Sequence, residues 1–202
     1  MTKKNKILLI LLLIFFVILL ALIKMNKTIE FDYNIYKLVI SIKSDTITNL
    51  LKLITSLGDT LCIIFIILLC FIIFKNKFYP KIITINILIT VFINQVLKHI
   101  IQRPRPNFTH LVEENGFSFP SGHSMAAFSF YGLFIYLIYK SNINKKIKIL
   151  LITLLSLLII TIGLSRVYLG VHYITDIIGG FTMSLIILIS FTSFVKKYLK
   201  NV

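Results

Sequence analysis

The chain has 202 residues, of which 57% are hydrophobic, and it carries a formal charge of +15. This length favours one domain, and apolar runs long enough to cross a bilayer recur along it. The composition disfavours a water-soluble protein and predicts an all-α polytopic membrane protein. The lysines lie in short loops between apolar segments instead of forming one face with interleaved aromatics, so nucleic acid is not predicted as a partner.

Seven apolar segments are candidate membrane spans. They cover residues 7–23, 38–56, 60–74, 82–101, 122–139, 149–165 and 173–195. The second is interrupted by Lys43, Asp45 and Lys52, and a charge at the centre of a span is costly. A shorter amphipathic or re-entrant helix fits residues 27–58 better, which leaves six spans. The first span is expected to be a retained signal anchor, because no small-residue cleavage site follows before Lys24.

The lysine distribution predicts the orientation of the chain in the membrane. Thirteen lysines lie in the two tails and in the 75–81 and 140–148 loops, with no acidic residue among them. All seven acidic residues fall on the opposite side. By the positive-inside rule both termini are cytoplasmic, and an even number of spans, such as six, is needed for that placement.

Three short polar islands break the apolar sequence. They are Lys98-x6-Arg105-Pro106, Pro120-Ser121-Gly122-His123 and Ser165-Arg166-x5-His172-x3-Asp176. Each lies at the end of a predicted span, and the orientation inferred from the loop lysines places all three at the outer face. The islands are therefore predicted to form one site.

His172 and Asp176 are four residues apart, which puts them on one helical face if the last helix begins here. A carboxylate that accepts a hydrogen bond from one imidazole nitrogen fixes the tautomer and frees the other nitrogen to attack. A polar helix start, with Asp176 as a capping acid, explains the same pair equally well. His123, at the start of another predicted helix, could protonate a leaving oxygen.

Lys98, Arg105 and Arg166 are the basic residues nearest this face. Both arginines offer forked donors to phosphate oxygens, and the lysine offers a point charge. Snorkelling to headgroups would explain Lys98 alone, but it explains all three less well. Arg103 is the third arginine of the chain, and residue types alone leave open whether Arg103 or Arg105 points inward.

Ser121 and Gly122 begin a predicted helix, where the hydroxyl and the backbone N–H either face an anion or simply cap the helix. Apart from Asp176, the islands contain no carboxylate, so no metal site is predicted. The chain has no glycine-rich nucleotide loop. No cofactor is therefore expected.

The three islands closely resemble the signature of the type 2 phosphatidic acid phosphatase family, which is K-x6-RP, PSGH and SR-x5-H-x3-D. All three parts match without a gap. The resemblance implies a six-helix bundle that forms a single integral-membrane phosphatase domain over residues 1–202, with the core signature at 98–176. It also favours Arg105 over Arg103, because Arg105 is in register with Lys98.

The resemblance implies a role for each residue of the motifs. His172 would be the nucleophile that forms a phosphohistidine, oriented by Asp176, and His123 would be the acid for the leaving group. The phosphoryl oxygens would be held by Lys98, Arg105, Ser121, Gly122 and Arg166. Many relatives carry proline two residues after the nucleophile, where this chain has Ile174, and this departure is expected to loosen the turn into the last helix.

The implied substrates are phosphatidylglycerol phosphate, phosphatidic acid and undecaprenyl diphosphate. The motifs read only the phosphate and do not separate these lipids. A lipid phosphotransferase would share every motif. A non-catalytic lipid-phosphate binding or transport protein is a further alternative, although binding alone requires cations and no nucleophile.

Overall fold

The computed structural model describes residues 1–199, with side chains as far as Lys196. In this part the chain forms eight α-helices and no strand, which confirms the predicted all-α class. The helices are α1 (Lys3–Lys24), α2 (Ile29–Ile40), α3 (Asp45–Ser56), α4 (Thr60–Ile73), α5 (Phe78–Ile101), α6 (Gly122–Lys140), α7 (Lys145–Tyr168) and α8 (Ile174–Leu199). The side chain of Lys197 and the whole of Lys200, both assigned to the cytoplasmic tail, lie outside the described residues.

Four of the described helices, α1, α5, α7 and α8, are long and apolar enough to cross a membrane. Helices α3 and α4 meet the same standard only as a pair, and they are bent by 49° at the break between them. If this pair is one span, the count rises to five. The layout of six spans with two cytoplasmic termini therefore stays a prediction.

The segment 27–58 contains two helices of 12 residues each, α2 and α3, where the sequence predicts one short helix. The charge of Asp45, which disqualified a continuous span, lies in the first turn of α3. Acidic residues are favoured there by the helix dipole. The Ser44 hydroxyl accepts a hydrogen bond from the Ile47 amide and caps this helix. Helix α3 packs on α7, and α2 packs on both α7 and α8.

Helix α6 lies at the centre of the bundle, in contact with α5, α7 and α8. Its fully buried Ala127 and Phe130 meet Ile83 of α5 and Ile162 of α7 in the main apolar core. This packing fixes the start of α6 beside the ends of its neighbours.

The three polar islands lie at helix ends that meet on one side of the bundle. Helix α5 ends at Ile101, and its C-cap residue Gln102 has a left-handed backbone (φ 51°). Residues 102–121 then cross to α6. Three backbone hydrogen bonds hold this connection, from Ser118 N to Arg103 O (2.8 Å), from Leu111 N to Leu169 O (3.0 Å) and from Ser121 N to Asp176 O (3.2 Å). The connection thus lies against the turn that links α7 to α8.

Candidate active site

His172 lies in the turn between α7 and α8 and is 1% exposed. Its Nδ1 is 3.3 Å from Asp176 Oδ2 and 3.3 Å from the Ser118 hydroxyl, which itself donates to Asp176. Asp176 also accepts a hydrogen bond from the Tyr173 amide (2.9 Å). The carboxylate therefore contacts His172 and also accepts a hydrogen bond at the start of α8, so this geometry is compatible with both alternatives drawn from the sequence, and the catalytic role of the pair stays a prediction.

The turn that carries His172 is fixed by backbone contacts. Gly170 adopts φ +78°, a conformation that favours glycine. The amides of Val171 and His172 then both approach the Arg166 carbonyl, at 3.2 and 3.3 Å. Ile174 is the first residue of α8, a position where proline is also favoured. The next residue, Thr175, donates its amide to Asp32 of α2 (3.0 Å), which holds the start of α8.

The free nitrogen of His172, Nε2, faces the cations of the site. It is 3.4 Å from Nη1 of Arg105. Burial lowers the pKa of His172 to about 4, although the hydrogen bond and charge of Asp176 act to raise it. The imidazole is consequently neutral at physiological pH, and with Nδ1 donating to Asp176 the lone pair is on Nε2.

Arg105 is fixed by three backbone carbonyls. It donates to Val171 (2.9 Å), to Asn115 (2.8 Å) and to Gly116 (3.1 Å). These bonds join the 102–121 connection to the turn that carries His172. Arg105 therefore faces His172 in a fixed orientation.

Arg166 comes from the last turn of α7 and is 2% exposed. Its Nη1 donates to the Thr55 hydroxyl of α3 (3.2 Å), and its Nη2 donates to Glu114. The buried Nε has no hydrogen-bond partner among the described residues. Because an unpaired buried donor is costly, this nitrogen favours the approach of an anion.

A cavity of about 260 Å³ is lined by four of the eight predicted site residues. Lys98, Gly122, His123 and His172 all line it. Ser121 does not line it; it is fully buried, and its hydroxyl accepts hydrogen bonds from the amide and hydroxyl of Ser124 at the start of α6. Its role as a phosphate ligand stays a prediction.

A larger cavity of about 650 Å³ lies elsewhere, between the end of α4, the start of α5 and the ends of α6 and α8. Phe74, Tyr79, Phe134 and Lys140 are among its lining residues, which include no histidine and no carboxylate. The smaller cavity is the one with the chemistry of a reaction site.

Sequence reasoning missed the role of Arg103. Its guanidinium pairs with Asp176 (2.6 Å) and with Asp32 of α2 (2.8 Å), and it also donates to the Thr175 hydroxyl (2.7 Å). Arg103 thus lies on the Asp176 side of the His172–Asp176 pair, behind it. Arg105 lies on the Nε2 side of His172, in front of the pair. The sequence signal for this role was the pair of nearby arginines, Arg103 and Arg105. Residue types alone did not show which of the two points inward.

Two carboxylates in the cavity were also missed. Glu114 pairs with Arg166, lies 3.4 Å from Arg105 and is 3.8 Å from Nδ1 of His123. Burial acts to raise the pKa of Glu114, but the positive charges around it outweigh burial and hold that pKa below its usual value. Asp59, at the start of α4, is 2.6 Å from Nε2 of His123. Neither acid belongs to a motif island.

Within the described residues, no cluster of three or more His, Cys, Asp or Glu side chains is arranged to hold a metal ion. The cations that face the cavity are instead supplied by side chains. A reaction without metal or cofactor stays a prediction of the sequence.

The geometry defines a helical protein with apolar helices of membrane-spanning length and a histidine, carboxylate and arginine site at one end of its bundle. A model of the PAP2 superfamily matches residues 79–200. The chain belongs to the PAP2 superfamily, which confirms the resemblance drawn from the three islands.

Two curated proteins are similar in sequence. The chain is 42% identical over 106 residues to phosphatidylglycerophosphatase B of Bacillus subtilis (strain 168), which covers 52% of either sequence. It is 35% identical over 98 residues to dolichyldiphosphatase of Saccharomyces cerevisiae, over 45% of this chain and 41% of the relative. The chain thus aligns with about half the length of these relatives or less.

Two crystal structures are similar in fold. One is described as the first transmembrane PAP2 type phosphatidylglycerolphosphate phosphatase from Bacillus subtilis. It matches with a TM-score of 0.85 and 32% identity over 94% of this chain and 96% of that one. The other, Aquifex aeolicus LpxE, matches with a TM-score of 0.67 and 22% identity over 80% and 94% of the two chains, a likeness of fold alone.

Proposed function

We propose that this protein is an integral-membrane lipid phosphatase that cleaves phosphomonoester or diphosphate headgroups through a phosphohistidine intermediate. One observation carries the proposal. His172 is buried, held at Nδ1 by Asp176, and presents Nε2 to Arg105 at 3.4 Å, beside a cavity that also contains His123 and Lys98. A neutral, oriented imidazole among cations is suited to attack phosphorus.

In the first step Nε2 of His172 forms a bond to the terminal phosphorus, and the bond from that phosphorus to the leaving oxygen breaks. The leaving oxygen belongs to the lipid alcohol in a phosphomonoester and to the lipid phosphate in a diphosphate. Protonated His123 gives its proton to that oxygen. Lys98, Arg105 and Arg166 stabilise the negative charge on the phosphoryl oxygens, with the Gly122 amide and Ser121 at the start of α6 assigned to the same task.

In the second step water attacks the phosphohistidine. His123, now neutral, takes a proton from that water, and inorganic phosphate leaves as the bond to Nε2 breaks. The imidazole of His172 recovers its lone pair, while Asp176 keeps the Nδ1 proton in place throughout. A lipid hydroxyl in place of water would make the enzyme a phosphotransferase.

The substrate class proposed is a phosphate or diphosphate on a lipid alcohol. The names of the similar proteins, phosphatidylglycerophosphatase B and dolichyldiphosphatase, agree with that class. A cavity of about 260 Å³ is below the usual range for drug-sized ligands. It suits a headgroup, with the lipid tails remaining among the apolar helices. Phosphatidylglycerol phosphate, phosphatidic acid and undecaprenyl diphosphate are the candidates.

The protein is proposed to lie in a bacterial cytoplasmic membrane with six spans, both termini inside and the active site at the outer face. The support is the excess of lysine in the tails and in the 75–81 and 140–148 loops. A cysteine at Asn115, in the connection beside the site, should react with an impermeant thiol reagent in intact cells, and one at Asn142 should not. The opposite labelling pattern would overturn this orientation.

Phosphate release from the three candidate lipids tests the activity. The wild-type protein is expected to release phosphate from at least one of them in excess chelator, because side chains supply the positive charge. Activity that EDTA abolishes and magnesium restores would contradict the metal-free mechanism. Binding of these lipids without phosphate release would favour a binding or transport protein.

A further inference from the structure

The corner between α3 and α4, residues 55–59, lies against the active site although it is outside all three motif islands. It also precedes residues 79–200, the part matched by the family model. Asp59 is the N-cap residue of α4, yet its side chain makes no capping hydrogen bond. An N-cap aspartate usually accepts a bond from its own helix, which is worth about 1 kcal/mol. Here the carboxylate instead reaches Nε2 of His123, at 2.6 Å.

The corner is held in place by contacts on both sides. Tyr131 of α6 donates to the Leu57 carbonyl (2.8 Å). A Cβ added at Gly58 would lie 3.3 Å from the His123 ring and 3.1 Å from Ile162 of α7, so glycine permits this close approach. The same corner supplies the Thr55 hydroxyl that accepts a bond from Arg166. The position of Asp59 relative to His123 is therefore set by packing.

Several charged groups face His123. Asp59 lies on its Nε2 side, and Glu114 lies 3.8 Å from its Nδ1. Arg166 approaches from α7, and Lys98 and His172 line the same cavity. Glu114 is shared with two arginines, so Asp59 is the carboxylate with the short bond to His123.

We propose that Asp59 is a positioning residue for the general acid His123. By accepting a hydrogen bond from the Nε2–H group, it leaves Nδ1 as the nitrogen that gives a proton to the leaving oxygen, and its negative charge favours the protonated ring. After that transfer His123 is neutral, with the Nε2 proton still donated to Asp59. The site then has two histidine–aspartate pairs, one for the nucleophile and one for the acid. This inference rests on the proposed phosphatase function.

The test compares Asp59→Asn with the control Asp45→Asn, an exposed acid at the start of α3. The full-length variants are assayed in vesicles with an alkyl phosphate and with nitrophenyl phosphate. For Asp59→Asn, kcat for the alkyl phosphate is expected to fall about tenfold, part of the 10²–10⁴-fold typical of general acid catalysis. The nitrophenyl ester, whose leaving group needs little protonation, should lose less than about twofold. The alkaline limb of the rate profile should move to lower pH, and Asp59→Glu, which keeps the charge, should restore it.

Equal losses for both substrates, or an unchanged alkaline limb in Asp59→Asn, would overturn the inference. So would a similar selective loss in Asp45→Asn. Failure of the proposed function has a different signature: the wild-type protein would release no phosphate, or His172→Ala would release it normally.

Discussion

Two charged clusters flank His172, and they differ in how completely they are closed. The rear cluster, Asp32, Arg103 and Asp176, is buried, with both carboxylates fully enclosed. The front cluster, Glu114, His123, Arg105 and Arg166, is more open. The Glu114 side chain is 24% exposed and the His123 side chain is 18% exposed. The rear charges are paired with one another, whereas the front includes the Nε of Arg166, which has no hydrogen-bond partner in the part of the chain that the structure describes.

The rear charges therefore hold the site in place, whereas the front charges can exchange partners. A buried ion pair contributes little net stability, but removal of one partner is costly because the other charge stays buried. At the front, we propose that a phosphoryl group replaces Glu114 as the partner of the arginines. Neighbouring arginines of one motif, Arg103 and Arg105, therefore belong to clusters with opposite tasks.

The largest effect is expected when the rear cluster is broken. Arg103→Met leaves Asp32 and Asp176 as unpaired buried carboxylates, a change that costs about 3–5 kcal/mol. A large fall in thermal stability in detergent, with little folded protein recovered, is the expected result. Arg105→Met removes hydrogen bonds to three backbone carbonyls but leaves no fully buried carboxylate unpaired, so it should lose less stability than Arg103→Met while losing phosphatase activity. Normal stability in Arg103→Met would contradict the division into two clusters.

A smaller effect is expected when Glu114 is neutralised. In Glu114→Gln the arginines no longer hold a competing carboxylate, so KM should fall about fivefold, or about 1 kcal/mol, with kcat little changed. The adjacent Glu113→Gln is the control, because Glu113 is exposed and should leave KM unchanged. If KM rises in Glu114→Gln, Glu114 assists substrate binding instead of competing with it.

The smallest expected effect is that the acid limb of the pH profile of kcat/KM lies at low pH. Because the pKa of His172 is lowered to about 4, the nucleophile stays neutral as pH falls, and protonation removes it only near that value. After correction for ionisation of the substrate phosphate, the acid limb of kcat/KM should lie well below the ordinary 6.5. An acid limb at 6.5 or above would show that His172 is not desolvated as the structure describes.

The candidate site residues of the motifs stand out in the sequence because their spacing is local. His172 and Asp176 are only four positions apart, although His172 lies in the turn before α8 and not on its first helical turn. The apolar runs predicted where the helices fall. The supporting residues depend on long-range packing. Asp59 is 64 positions from His123, and Asp32 is 143 positions from Thr175. No local sequence pattern therefore indicates that these residues are in contact. The number of spans was equally hard to predict, because the bend between α3 and α4 depends on how both helices pack.

The most direct test of the account is to trap the phosphorylated enzyme. Wild-type protein is mixed with a ³²P-labelled lipid phosphate, quenched in alkali, where phosphohistidine survives, and mapped by mass spectrometry. Label is expected on the peptide that contains His172, and neither label nor phosphate release is expected in a folded His172→Ala variant. Normal phosphate release by folded His172→Ala protein would contradict it.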